Sequence, residues 1–255
     1  MRLVRVQRVQ RVLLAAFVLL LAAAAASAGE PCRYLNYLGT PYTVCTFDPA
    51  ASDIRIYNAG DDGRPFGSFG ALQAELASKG QDLLFATNGG MYHADKRPVG
   101  LLIESGIVKM PASTGGGWGN FHLLPNGVFY LARGKAGVME TRAFLASGIR
   151  PRFATQSGPM LVIDGRLHPK FLPQSDSFKI RNGVGVDAQG RVHLAISEAP
   201  VRFYDFATLY RDILGCRNAL YLDGTISSLY WPAGGRRGSR FPLGPIIAVV
   251  GGGPG

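Results

Sequence analysis

Ala219-Leu-Tyr-Leu-Asp-Gly-Thr-Ile-Ser-Ser228 is a four-residue apolar run that stops abruptly on Asp223-Gly224. Such a run is too short for a core helix and reads as a buried strand, with a polar turn at its end. The same arrangement recurs outward in both directions. Leu83–Ala86 runs into Asn88-Gly89-Gly90, and Val44–Phe47, Ile54–Tyr57, Gly100–Ile103, Val128–Leu131, Met160–Ile163, Val192–Ile196 and Ile246–Val250 are further runs of this kind. Ser105-Gly106, Asn126-Gly127 and Asp164-Gly165 stand between or beside them, where glycine supplies the positive φ of tight hairpins.

Helical signals are sparse. Ser68 can cap a segment that aligns Phe69, Leu72 and Leu76 on one face and stops at Gly80. Thr141–Ser147, closed by Gly148, is a shorter candidate. Tyr204–Leu214, closed by Gly215, places Phe206, Leu209, Tyr210, Ile213 and Leu214 along one stripe. Few helices among many strands predict an α+β fold: a single domain on a mixed or antiparallel β-sheet. No linker or low-complexity stretch divides it, so the domain is expected over 29–250, followed by a disordered tail at 251–255.

Of the 255 residues, 47% are hydrophobic, enough for a core and too many for a disordered chain. The net charge of +10 suggests nucleic acid at first sight, yet Arg2, Arg5, Arg8 and Arg11 supply four of those charges. They precede the apolar run 12–26 and an Ala26-Ser27-Ala28 cleavage pattern, the layout of a secretory signal peptide over 1–28. The run is shorter than the ~20 residues that span a bilayer, so no membrane span is expected after cleavage. What remains carries about +6, which argues against a nucleic-acid partner; it suits anionic polymers or phosphorylated substrates, or serves solubility alone. A periplasmic or secreted location follows, and with it an oxidising compartment. Cys32 and Cys45 flank a segment that can fold back as a hairpin, so they are expected to be bridged, with Cys216 a free, buried thiol.

The polar and glycine clusters after the strands are the places for chemistry. The four histidines, His93, His122, His168 and His193, show no paired metal-ligand spacing, so neither a metal nor another cofactor is expected. Ser157 lacks an adjacent histidine base and a Gly-x-Ser-x-Gly elbow, which argues against a hydrolase triad. Tyr92, Trp118 and Trp231 can stack on a ligand or pack in the core.

Six stretches, in order, carry a resemblance: Phe85-Ala-Thr-Asn-Gly-Gly-Met-Tyr92, Pro98-Val-Gly-Leu101, Ser157-Gly-Pro159, Arg181-Asn-Gly-Val-Gly185, Ile196-Ser-Glu-Ala-Pro-Val201 and Ala219-Leu-Tyr-Leu-Asp-Gly224 with Ile226-Ser227-Ser228. Together they resemble the phosphodiester glycosidase family over roughly 42–250. One branch of that family shows an aspartate followed by three glycines, whereas Asp223 is followed by Gly224, Thr225 and Ile226. The resemblance implies hydrolysis at an anomeric carbon whose leaving group is a phosphodiester, on a glycan or glycosyl-phosphodiester substrate. Asp223, Glu104 and Glu198 are then the candidate catalytic carboxylates. Arg181 would offer a fork of donors to phosphate. Asn88, the amides of Gly89 and Gly90, Ser157, Gly158, Gly224 and Tyr92 would bind the substrate. Transfer of the sugar to an acceptor, or glycan binding without catalysis, stay open as alternatives.

Overall fold

The computed structural model describes residues 30–239 and 241–252. The expected signal peptide and the last three residues of the expected tail lie outside that range. The chain opens with β1 (Cys32–Tyr37), β2 (Thr40–Phe47) and β3 (Asp53–Tyr57), then α1 (Phe69–Ser78) and β4 (Asp82–Asn88). Next come β5 (Leu102–Glu104), β6 (Ile107–Met110), β7 (Gly127–Ala132), β8 (Lys135–Glu140), α2 (Thr141–Ala146), β9 (Phe153–Ser157), β10 (Met160–Ile163) and β11 (Arg166–Leu167). The last part holds β12 (Asn182–Asp187), β13 (Val192–Ser197), α3 (Phe203–Thr208), β14 (Cys216–Tyr221), β15 (Leu229–Tyr230) and β16 (Ile246–Gly251). Gly251, expected in the tail, pairs with Asp82 as the last residue of β16.

The strands form three sheets, ordered β1-β2-β13-β12-β14-β10-β11, β15-β4-β16-β3 and β6-β5-β9-β7-β8, and every pairing is antiparallel. Their inner faces share one core: Val184 and Leu194 from the first, Ile56, Phe85 and Ile247 from the second, Leu102, Phe129 and Phe153 from the third. Each sheet is backed by one helix. Phe69, Leu72 and Leu76 of α1 cover Ala86 and Ala248, Phe144 of α2 covers Val128 and Ala154, and Phe206 of α3 packs with Val44 and Ala219. Strands buried on both faces have no polar side to alternate with, which is why they stand out as uninterrupted apolar runs.

Local chemistry explains the agreements and the departures. Ser68 caps α1 by accepting from the Ala71 amide at 3.1 Å. Ser105-Gly106 and Asp164-Gly165 have positive φ at both residues, as two-residue hairpin turns require. Asn126-Gly127 is not a turn. Asn126 is buried, accepting from Thr141 Oγ1 at 2.7 Å, and Gly127 begins β7. Ile213 leaves its expected stripe and is 43% exposed. The chain after α3 widens into a π-turn, Leu209–Ile213, closed by the Leu214 amide on the Leu209 carbonyl, and the extra residue rotates Ile213 outward.

β12 has no apolar run because its neighbours leave it no room. A Cβ on Gly185 would lie 2.7 Å from both Cys216 Sγ and a Tyr210 ring carbon, and one on Gly183 would lie 2.9 Å from the Leu220 carbonyl oxygen. Close packing thus forces glycine into a central strand.

In the β1–β2 hairpin Cys32 faces Cys45 directly, and the two are bonded; Cys216 is a buried free thiol. Replacing Cys32 and Cys45 together by serine is expected to lower the unfolding free energy by about 2–4 kcal/mol. The check is the denaturant midpoint, and an unchanged midpoint would refute it.

Candidate active site

Two buried asparagines meet where the first two sheets come together. Asn88 is the last residue of β4 and Asn182 the first of β12. Asn182 Nδ2 donates to Asn88 Oδ1 at 2.9 Å and to Thr87 Oγ1 at 3.1 Å, while Asn182 Oδ1 accepts from Ser227 Oγ at 3.2 Å. Asn88 Nδ2 donates to the Asp223 carbonyl at 2.9 Å, and Asn88 Oδ1 accepts from the Ser228 amide at 2.9 Å. Thr87 Oγ1 closes the network on the Ser228 carbonyl at 2.8 Å. The segment 223–228, which leaves β14, is therefore held at both ends by side chains from two other strands. An unmet buried amide costs about 1–3 kcal/mol, so the arrangement is strongly selected.

The network aims Asp223. Its main chain is held by Asn88, and its Oδ1 accepts from the Thr225 amide at 3.3 Å, opening a 3₁₀ turn over Gly224–Ile226. The carboxylate is half-buried. That burial raises its pKa above the ordinary aspartate value, opposed in part by the Thr225 amide. Tyr92 lies near it: burial first, and then the Asp223 charge, raise the Tyr92 phenol. Thr225 is exposed and Ser227 half-buried beside it. Burial without a cationic partner makes Asp223 suited to taking and returning a proton.

Arg181 takes a different place from the one expected. It is 1% exposed, with its guanidinium 3.6 Å over the Phe203 ring. Nε donates to the Val201 carbonyl at 2.9 Å and Nη2 to the Ser177 carbonyl at 3.0 Å, so the fork meant for phosphate is largely closed on main chain. Desolvation lowers its pKa. Arg181 acts from below: it anchors the start of β12, next to Asn182, and touches Tyr221, whose hydroxyl lies under Gly224.

The glycines also serve close packing. The Gly89 amide donates to the Pro245 carbonyl at 2.6 Å. A Cβ on Gly90 would lie 2.3 Å from the Gln156 carbonyl oxygen, one on Gly158 2.8 Å from that of Phe121, and one on Gly224 1.9 Å from the Tyr221 hydroxyl. Ser157 is fully buried with its hydroxyl unpartnered. Glu198 accepts from Thr43 and from Arg236, fastening the 231–236 turn to the sheet. Glu104 lines a separate cavity with Asn58 and Lys109. No hydrogen bond among the described residues joins Glu104 or Glu198 to Asp223. Trp231 belongs to the core, whereas Trp118 is 98% exposed on its loop. Asn182, the keystone, gives little warning in the sequence, because between Arg181 and Gly183 it reads as a turn.

With this geometry in view, comparison with known proteins is informative. The sequence profile of the family described as phosphodiester glycosidase matches residues 81–249. That span includes Asn88, Asn182 and Asp223. The uncharacterised protein YigE of Escherichia coli (strain K12) is 39% identical over 204 residues, 80% of each chain. The catalytic domain of zebrafish N-acetylglucosamine-1-phosphodiester α-N-acetylglucosaminidase, auto-inhibited by its pro-peptide, superposes with a TM-score of 0.58 at 14% identity, covering 86% of this chain and 81% of that one. A hypothetical protein from Synechocystis gives 0.51 at 16% identity, covering 86% of this chain and 61% of its own. At such identities the two structures speak for the fold.

The raised pKa of Asp223 has a thermodynamic consequence. A carboxyl whose folded-state pKa lies above its unfolded one stabilises the fold most when protonated, and that contribution fades as pH rises through the folded value. Asp223→Asn keeps an oxygen for the Thr225 amide and removes the penalised charge. At pH 7 the variant is therefore expected to melt above the parent, with the gain vanishing below about pH 3.9. A lower Tm at pH 7 would show that the ionised carboxylate is favourably held.

Proposed function

This chain belongs to the phosphodiester glycosidase family, and on that premise we propose that it is an exported hydrolase cleaving a sugar-1-phosphodiester bond in a cell-envelope or extracellular glycan. The observation that carries the reading is the half-buried Asp223, fixed by the Asn88–Asn182 pair at an exposed edge beside Tyr92. The charged N-terminus, apolar run and cleavage pattern support export.

The reaction divides naturally among these groups. A phosphodiester leaves readily as an anion, so the C1–O bond breaks with its electron pair staying on the phosphate oxygen and little acid assistance is required. Asp223 takes a proton from the water that attacks C1 and later returns it to solvent. Tyr92 offers a face to the sugar ring, and the hydroxyls of Thr225 and Ser227 supply hydrogen bonds. Lys96, whose ammonium lies 4.8 Å over the Tyr92 ring, brings a cation toward the departing phosphate. The buried Arg181 charge contributes potential from beneath rather than direct contact.

Purified mature protein is expected to release free sugar and a phosphomonoester from a panel of synthetic sugar-1-phosphodiesters. Asp223→Asn should lower kcat by about 10²–10⁴-fold while leaving substrate affinity nearly unchanged. No turnover by folded protein on any sugar would refute the enzymatic reading, and glycan binding under those conditions would favour a lectin-like role. Products formed with added alcohol acceptors separate transfer from hydrolysis.

A further inference from the structure

We propose that a second anion site, which holds the phosphates of a polymer chain, lies in the cavity between the 48–52 turn and the Arg133-Gly134 turn of the β7–β8 hairpin. The inference rests on the phosphodiester glycosidase reading and deepens it: the substrate class becomes a polymer that repeats its phosphodiester rather than a lone sugar phosphodiester.

Charge is segregated along the chain. Between Ser105 and Ile163 there are six cations, Lys109, Arg133, Lys135, Arg142, Arg150 and Arg152, and one acid, Glu140. Glu140 is used to cap α2, accepting from the Ala143 amide at 2.8 Å. None of the six cations forms an ion pair among the described residues.

Three of them line one cavity of about 370 Å³: Arg133 and Lys135 from the hairpin, and Arg152 from the residue before β9. All three are exposed. The two turns meet there, since a Cβ on Gly134 would lie 4.0 Å from the Ala50 Cα. Asp53 is the one acid in the lining, and Arg55 Nε already donates to its Oδ2 at 3.0 Å. Asp48, at the start of the 48–52 turn, accepts from the Ala50 amide at 2.9 Å. A sphere of the cavity's volume is about 9 Å across, close to the Debye length at physiological salt, so the three cations repel one another and gain from an anion between them.

The chemistry of that anion can be narrowed. A single phosphate would engage one or two of these groups, whereas a chain that repeats its phosphate engages all three, and each phosphate neutralised adds affinity through released counterions. The shape favours a chain over a lipid surface. The cations open on a cleft, and its large apolar members, Ile54, Leu131 and Phe153, are all buried, so it presents no side chain to enter a bilayer.

β9 links the two places. It starts at Phe153, which lines the cavity; near its end a Cβ on Gly90, two residues before Tyr92, would lie 2.3 Å from the Gln156 carbonyl oxygen. Three residues of strand span roughly 10 Å. A polymer held at the cavity thus keeps its further phosphodiesters at high local concentration around the Asp223 site.

The test is isothermal titration of the mature protein with a short chain of poly(glycerol phosphate), which has phosphodiesters but no anomeric carbon and so cannot be cleaved at one. The chain should bind, more weakly as salt rises from about 50 to about 200 mM. Affinity should fall at least tenfold in the triple variant Arg133→Asn, Lys135→Gln, Arg152→Gln. It should stay within twofold of the parent in Asp223→Asn and in a control that removes the same charge elsewhere, Arg166→Gln, Lys170→Gln, Arg217→Gln. Lys135→Glu alone, at an exposed position with no partner, repeats the measurement if the triple variant melts below the parent. No binding of the chain, or an equal loss in the control, would overturn the site. So would binding to phosphatidylglycerol vesicles through these three cations without binding of the chain. The titration needs no catalysis, so chain binding that depends on Arg133, Lys135 and Arg152, in a protein that turns over no sugar-1-phosphodiester, would count against the hydrolase and not against the anion site.

Discussion

The mutual satisfaction of Asn88 and Asn182 is the constraint from which the candidate site follows. Each side chain is sealed from water, so each donor and acceptor must find a protein partner or incur a desolvation cost comparable to a sizeable part of a domain's net stability. They find those partners in one another, in Thr87, and in the segment 223–228. A loop that would otherwise sample many conformations is thereby tied at Asp223, Ser227 and Ser228. The Asp223 carboxylate is thereby placed without itself being used as a structural ligand to a cation.

The rest of the molecule supports that junction. Three antiparallel sheets around one core bring the end of β4 against the start of β12, and a helix behind each sheet closes its outer face. Arg181, itself buried, secures the start of β12 through the carbonyls of Val201 and Ser177, with Phe203 against its guanidinium. Gly183 and Gly185 let β14 and the segment after α3 pack closely against β12. Stability and chemistry pull in opposite directions at Asp223, where half-burial disfavours the ionised form; a site that must move protons tolerates this, whereas a purely structural turn would gain from asparagine.

Much of the framework was legible in the sequence. The apolar runs marked the strands buried on both faces, Ser68 and Gly80 bracketed α1, and the hairpin spacing of Cys32 and Cys45 announced their bond. β9 and β12 were not legible as strands, because their residues are small or polar for reasons of close tertiary contact that no local pattern encodes. At the site, the motifs drew attention to Asp223, Asn88 and Tyr92, but Asn88 was expected to bind substrate, whereas its side chain is sealed from solvent and taken by Asp223, Asn182 and Ser228. Arg181 was expected to hold phosphate and the Gly89 amide to meet a ligand, but a residue type suited to phosphate is equally suited to holding carbonyls, and the Gly89 amide is taken by the Pro245 carbonyl. Asn182 could be recognised only once two strands distant in sequence lay side by side.

The central claim is that the Asn88–Asn182 pair sets Asp223 against the scissile bond. A crystal structure of the Asp223→Asn variant with an intact sugar-1-phosphodiester tests it most directly. The account predicts the anomeric carbon and the bridging phosphate oxygen beside the residue 223 side chain, the sugar ring against Tyr92, and the asparagine pair undisturbed. A phosphodiester seated away from residue 223, or an asparagine pair that opens to receive it, would contradict the account.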